Sequence, residues 1–350
     1  MKTKYKIILI LGLVFIVAAA AVAFYLASKT ILQPSVVFDE REAIVRIKTG
    51  STVNTIAEQL YEAGVVRSID DFILTAKLFG FSDELKAGKY TFAKNLSNYR
   101  ILKILVEGSV SVEKVVIPEG YTARQIASLL SHKIEIDSAR FMELCSDKQF
   151  IKSLKLEVDF LEGYLYPNTY NMFWGMSEKE VIETLVTQFH KRFADSLRQK
   201  AMEKNWSINQ VITMASIIEG EALVDSERTI ISAVYHNRLR RGMLLQADPT
   251  IQYIIPDGPR RLLNRDLAID SPYNTYKYIG LPPGPVNNPG IKSIIAAIEP
   301  ADVPYLYFVA KGDGSHTFSR THREHLRAKR KFDQYRWKIR KEQNAKKNEN

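Results

Sequence analysis

The chain has 350 residues, 46% hydrophobic and 25% charged, which is enough for one large domain or two ordinary ones and wrong for a disordered polymer. Its single cysteine, Cys145, excludes an intramolecular disulfide framework and any multi-cysteine zinc or iron–sulfur site. The net charge of +10 sits at the ends: residues 320–350 hold 12 basic and 4 acidic side chains, Lys2, Lys4 and Lys6 add +3, and residues 7–319 are left at −1, which argues against a nucleic-acid partner.

Residues 7–27 are 21 positions without a charge. As a helix rising ~1.5 Å per residue they reach about 31 Å, close to the ~30 Å thickness of a bilayer's hydrocarbon. Lys2, Lys4 and Lys6 precede the run and only Lys29 follows closely. The positive-inside rule then keeps residues 1–6 in the cytoplasm and sends everything after the run outside. Small residues at 18–23 offer signal-peptidase sites. The run nevertheless exceeds the usual ~7–15 residues of a cleaved signal's apolar core, so an uncleaved anchor is expected. No cysteine follows it, which excludes a lipid-modified amino terminus. The expected location is the inner (plasma) membrane, crossed once, with residues 28–43 as a linker and the remainder extracytoplasmic (periplasmic).

The body begins with a repeat. Ile47, Gly50, Thr52, Ile56, Ala57 and Leu60 recur 70 positions later as Ile117, Gly120, Thr122, Ile126, Ala127 and Leu130. Each copy predicts a strand, a glycine turn and a helix capped by its threonine, with Gln125 completing a capping box on Thr122. Phe72 and Phe141 open a second helix in each. Lys86-Ala87-Gly88-Lys89-Tyr90 and Leu161-Glu162-Gly163-Tyr164 then hold similar places. The strand–helix–helix–strand unit over residues 44–110 resembles LysM, a module that binds N-acetylated glycans. A βααβ spacer without sugar affinity is the alternative.

The chemistry is expected on residues 207–222. Ser207 and Gln210 form a capping box, and Ile208, Val211, Ile212 and Ala215 follow the i, i+3, i+4, i+7 stripe of an amphipathic helix. At about 100° per residue Glu219 falls on that stripe and Glu221 on the opposite side. Met214 and Ile217 lie off the stripe, so the helix is expected to be covered on more than one side. A carboxyl among apolar groups keeps its proton to higher pH, as a general acid must. The opposing reading is a buried glutamate neutralised by Arg228 or Arg238.

Residues 226–241 predict a second helix, capped by Asp225 or Ser226 and stopped by Gly242. Asp248 before Pro249 reads as the cap of a third. Tyr273-Asn274-Thr275-Tyr276, Gly280-Leu-Pro-Pro-Gly284-Pro285 and Asn287-Asn288-Pro289-Gly290 follow as stiff loops. Rings stack on pyranose faces and amides bond hydroxyl and acetamido groups, which makes Gln246, Asp248, Tyr273, Asn274, Tyr276 and His316 candidate substrate-binding residues. Turn chemistry is the competing explanation. Tyr305 begins a buried strand to Val309, Gly312-Asp313-Gly314 turns it, and His316 either closes the hairpin or acts on substrate.

The ordered set of Glu162-Gly-Tyr-Leu-Tyr-Pro167, Ala215-Ser-Ile-Ile-Glu219-x-Glu221, Asn237-Arg-Leu, Met243-x-Leu-Gln246-x-Asp248-Pro-Thr250, Tyr273-Asn-Thr-Tyr276, Gly280-Leu-Pro-Pro-Gly284, Asn288-Pro-Gly290, Tyr305-Leu-Tyr-Phe308 and His316-x-Phe-Ser319 resembles the YceG-like family over residues 44–330. Gly220 departs from it, standing where a Lys is common, and is expected to loosen the helix. The resemblance implies an α+β protein: one transmembrane helix, a small LysM-like βααβ subdomain (44–110), a larger mixed α/β catalytic domain (111–330) and a basic tail (331–350). It implies a lytic transglycosylase of nascent peptidoglycan, with Glu219 catalytic, 1,6-anhydromuramyl ends as products, no metal or cofactor, and peptidoglycan synthases as partners. A hydrolase that adds Asp248 as a second carboxylate is one rival. A glycan-binding scaffold without activity is the other.

Overall fold

The computed structural model describes residues 2–32, 42–48, 50–108, 112–256 and 258–348, with side chains of the last helix as far as Trp337. The linker expected at 28–43 lies largely outside these residues. The chain divides into two units. One is Met1–Val115 with His132–Ile136 and Asn171–Met176; the other is Val116–Ser131, Asp137–Tyr170 and Ser177–Asn350.

In the first unit α1 (Lys2–Leu32) is one unbroken helix. Its described side chains include Ile10, Phe15 and Phe24, exposed at 61%, 75% and 76%. Among the described residues no helix is long and apolar enough to cross a membrane. β1 (Glu42–Ile47) and β2 (Gly88–Ala93) pair antiparallel, Glu42 opposite Ala93 and Ile47 opposite Gly88. Strand alternation points Val45, Ile47, Tyr90 and Phe92 inward. Between the strands run α2 (Val53–Glu62), capped by Thr52, and α3 (Ile69–Leu78), capped by Ser68. α4 (Asn98–Glu107) follows, and Gly108 stops it at φ 72°, where a side chain would be strained. Ile56, Ala57, Leu60, Phe72, Ile101, Leu102 and Leu105 complete the core.

The second copy repeats the plan. β3 (Val112–Val116) leads to α5 (Ala123–Ile134), α6 (Ser138–Leu144) and an added α7 (Lys148–Ser153). β4 (Thr169–Phe173) returns to pair with β3. The equivalences hold in detail: Gly50 and Gly120 turn at φ 82° and 78°. Ile126, Ala127 and Leu130 are buried like their counterparts, and Phe72 and Phe141 are both fully buried. The Thr122–Gln125 capping box forms.

The second unit is mainly helical. α8 (Glu178–Arg192) starts in a capping box of Ser177 and Glu180, and α9 (Asp195–Glu203) follows. α10 (Ile208–Glu221) carries the expected Ser207–Gln210 box. Every residue from Val211 to Ile218 is buried, so α10 is covered all round. A 3-10 turn, Asp225–Glu227, precedes α11 (Arg228–Arg240), so neither Asp225 nor Ser226 caps that helix by its side chain. α12 (Asp248–Ile254) has Ala247 at its cap; Asp248 is already inside the helix and makes no cap bond, contrary to expectation. α13 (Ile291–Ile298) lies against α10 and α11. β5 (Tyr307–Ala310) and β6 (His316–Ser319) form the expected hairpin, but β5 is only half-buried rather than a core strand. α14 (His322–Asn348) packs on that hairpin and runs as one helix through position 330.

Candidate active site

α10 is buried from Val211 to Ile218, and Glu219 follows at its end with a side chain only 6% exposed. Its surroundings are not plainly apolar. Oε1 accepts from Arg228 Nη1 at 3.0 Å, and Oε2 accepts from the Gly290 backbone N–H at 3.0 Å. Of the two arginines considered from the sequence, Arg228 is the partner. Arg238 instead donates to the carbonyls of Leu306 and Leu245, both at 2.7 Å. Arg228 also donates to Ser293 Oγ and, through Nε, to Asp225 Oδ1 at 3.0 Å, and Lys292 closes on the other oxygen of Asp225.

Asn288 assembles the floor of the site. It is fully buried. Its backbone exchanges bonds with the 120–121 turn: Gly120 N donates to Asn288 O and Asn288 N donates to Tyr121 O, both at 2.9 Å. Its side-chain Nδ2 donates to Tyr121 O at 2.9 Å and Glu162 Oε1 at 2.8 Å, while Oδ1 accepts from Leu165 N at 2.9 Å. Asn287 Nδ2 donates to Ser216 O at 2.8 Å, tying the same loop to α10. Four stretches distant in sequence are thus fixed together at Glu219. The glutamate in the Glu162-Gly-Tyr segment is structural. It accepts from Ala123 N at 2.9 Å, and burial pushes its carboxyl up to about 8.

Glu119 was not legible as a functional residue. It precedes Gly120 in the second repeat, on the turn that Asn288 holds. A Cβ on Gly120 would lie 3.6 Å from Glu219 Cγ, and one on Gly290 would lie 1.9 Å from Glu119 Oε1. The Glu119 carboxylate therefore covers Gly290, whose N–H holds Glu219. Although the residue reaches the surface, burial of its carboxyl and then the charge of Glu219 raise it above the ordinary carboxylate range, against the pull of Arg228 and Lys292. The one available signal was the repeat itself, in which Glu119 replaces Thr49 at the shared offset.

Glu221 corrects the face argument. It does not point away from the packed protein: Oε1 accepts from the Tyr235 hydroxyl at 2.9 Å, and burial, then the charge of Asp248, raises its carboxyl to about 7. Asp248 accepts a bond from the Tyr276 hydroxyl and belongs to this second cluster, not to Glu219. Burial and that carboxylate push the Tyr276 phenol up. α10 continues through Gly220 to Glu221, and a Cβ at Gly220 would meet Pro249 at 2.6 Å, so glycine is what lets α12 approach α10.

The remaining candidates divide. Asn274 is fully buried and spends its amide inside its own loop, donating to Leu267 O and Ile269 O and accepting from Tyr276 N. That is the turn chemistry. Gln246 is exposed in a left-handed backbone conformation, φ 49°, with its N–H on Thr275 O. Tyr273 is half-buried, its ring centroid 5.1 Å from that of Tyr253. His316 closes on Glu227, Nδ1 to Oε2 at 2.8 Å, with both side chains nearly buried.

A model of the YceG-like family matches residues 45–331. An endolytic murein transglycosylase of Bacillus subtilis (strain 168) is 33% identical over 324 residues, covering 88% of this chain and 89% of that one. One from Streptococcus pneumoniae serotype 2 is 32% identical over 297 residues, 76% of this chain, which spans about half (54%) of its length. A crystal structure of a yceG-like protein from Listeria monocytogenes superimposes with a TM-score of 0.58 at 34% identity, covering 82% of this chain and 98% of the other. The chain belongs to the YceG-like family.

Proposed function

We propose that this chain is a peptidoglycan transglycosylase that cuts within glycan strands, with Glu219 as its acid and base. The observation that carries the assignment is the setting of Glu219, a nearly buried carboxyl at the end of a fully wrapped helix, gripped by Arg228 and the Gly290 N–H. The names of the relatives supply the substrate class.

In this reading Glu219 gives its proton to the oxygen joining N-acetylmuramic acid to N-acetylglucosamine. As the C1–O bond breaks, oxocarbenium-like charge develops on the ring. Arg228 and Gly290 stabilise the carboxylate so formed. That carboxylate then takes the proton of the muramyl 6-hydroxyl as O6 bonds to C1, which leaves a 1,6-anhydro end and restores the acid. A hydrolase using Asp248 is less favoured, because Asp248 is engaged with Tyr276 in the Glu221 cluster.

α1 would anchor the chain with its amino end in the cytoplasm, since residues 7–27 carry no charge and Ile10, Phe15 and Phe24 are exposed. Residues 44–110 would act as a LysM-like glycan-binding unit, and strand synthases would be the partners whose product is cut. Mass spectrometry of glycan strands digested by the protein tests the chemistry: anhydro ends support it, and reducing ends would establish a hydrolase. A reporter fused after Asn350 tests the topology, and activity on the cytoplasmic side would rule the anchor out.

A further inference from the structure

The basic residues that begin α14 meet a further one across a cleft. It lies between that helix and the β5–β6 hairpin and has a volume of 480 Å³, room for a small ligand or one arm of a larger one. Lys311 stands on the hairpin wall, and Arg327 and Lys331 stand one turn apart on the helix wall. All three are exposed. Phe332 and Tyr335 line the helix wall beside them, and Thr317 and Ser319 bring hydroxyl groups to the hairpin wall. The Tyr335 ring closes on the hairpin turn, where a Cβ at Gly312 would lie 2.4 Å from its Cε1.

Little neutralises these cations. Among the described residues Glu324 is the one acid lining the cleft, and its carboxylate accepts from the backbone N–H groups of Arg320 at 2.9 Å and Thr321 at 3.3 Å. Asp313, in the hairpin turn, is occupied by Ser315, accepting from its N–H at 2.9 Å and its hydroxyl at 2.7 Å. Three cations against one carboxylate leave the lining at +2.

We propose that this cleft binds the acidic peptide branches of the glycan strand. The inference rests on the transglycosylase reading above, in which muramic acid residues of the strand carry short peptides with ionised carboxyl groups. Cations on two walls suit a chain that enters between them, whereas a flat anionic bilayer is met by cations on one outer surface. Hydroxyl groups and rings beside those cations suit amides and short apolar side chains that alternate with carboxylates. The hairpin wall also belongs to the strand that meets the site. Alternation along β6 sets Thr317 and Ser319 on one face and His316 on the other. His316 donates its backbone N–H to Glu227 at 3.0 Å and places Nδ1 2.8 Å from the same carboxylate. Glu227 directly precedes Arg228, which holds Glu219 at 3.0 Å. A peptide branch in the cleft is therefore gripped by the strand whose other face is tied to the arginine of the site.

The test is equilibrium binding by the full chain carrying Glu219→Gln, so that the probe is not cut. The probes are soluble glycan strands bearing their peptides, the same strands after an amidase has removed the peptides, and vesicles of phosphatidylglycerol and phosphatidylcholine. Arg327→Glu with Lys331→Glu should weaken binding of the peptide-bearing strands about tenfold at low salt and less at high salt, with any binding of the peptide-free strands unchanged. Lys311→Glu, on the other wall, should weaken the same probe by a smaller factor. Lys329→Glu with Arg330→Glu reverses the same charge at exposed positions of α14 that do not line the cleft, and should bind like its parent. No binding by the parent, unchanged binding in the Arg327 and Lys331 variant, equal losses in the two double variants, an equal loss on peptide-free strands, or a loss confined to the vesicles would overturn the inference. Product analysis of the chain with Glu219 intact separates this from the reading beneath it: reducing ends, or no cleavage, would sink the transglycosylase assignment and leave the binding result standing.

Discussion

Replacing Gly220 by alanine separates two explanations of that glycine by sign. It is the last residue but one of α10. Helix propensity alone makes Gly→Ala favourable by about 1 kcal/mol. The structure opposes this gain, because the new Cβ would stand 2.6 Å from Pro249 Cγ and 2.7 Å from its Cβ. A proline ring cannot rotate away, and Pro249 is buried in the first turn of α12. Either that turn or the end of α10 must move, and overpacking of this kind costs about 1–3 kcal/mol. The expected net is a loss of about 1 kcal/mol, or about 2–4 °C in Tm for a unit of this size. Turnover should fall several-fold, since the displaced helix end carries Glu219. Thermal and urea unfolding of the purified chain, with product release measured in parallel, are the assays. A variant about 1 kcal/mol more stable than the parent, with unchanged turnover, would refute the close approach.

Further outcomes follow from the buried charges. Arg228→Ala leaves the Glu219 carboxylate buried without its cation and should cost about 3–5 kcal/mol in urea unfolding, with Arg228→Lys recovering only part because it lacks the planar fork. Glu162 binds its proton more tightly folded than unfolded, its carboxyl lying at about 8 against the ordinary value. The stability it contributes is full below the unfolded value and is lost as pH rises through the folded one, so Glu162→Gln should flatten stability between about pH 5 and 8, removing up to about 1.4 kcal/mol per pH unit of slope. Parallel slopes in parent and variant would contradict that burial. Glu221→Gln keeps an oxygen to accept from Tyr235 and should retain most turnover; a loss as deep as that of Glu219→Gln would move the chemistry to the second cluster.

What could be read in the sequence was local. The capping boxes of α5 and α10 and the glycine turns at Gly50 and Gly120 depend on residues within a few positions of one another, and all are found. The roles that went astray depend on what packs alongside. Asp248 before Pro249 has the chemistry of a cap, but tertiary packing starts α12 one residue early and turns that carboxylate to Tyr276. Asn274 and Asn288 carry the same amide, and only the folded chain shows both spending it on protein backbone. Arg228 and Arg238 were equal candidates because one helix carries both; which one meets Glu219 is decided by where α10 and α13 lie. Helical angle set Glu219 on the apolar stripe and Glu221 on the opposite side, but Tyr235 closes on Glu221 there because α10 is buried on more than one side.

The central claim, that Glu219 moves the proton, is tested most directly by treating glycan strands with the parent chain and with Glu219→Gln under identical conditions and weighing the products. Glutamine keeps the shape and one acceptor oxygen, with Arg228 still held by Asp225, but has no acidic proton to give. The account predicts 1,6-anhydromuramyl ends from the parent and none from the variant, whose unfolding transition should remain cooperative and close to that of the parent. Anhydro ends released at the parental rate by a folded Glu219→Gln chain would contradict it.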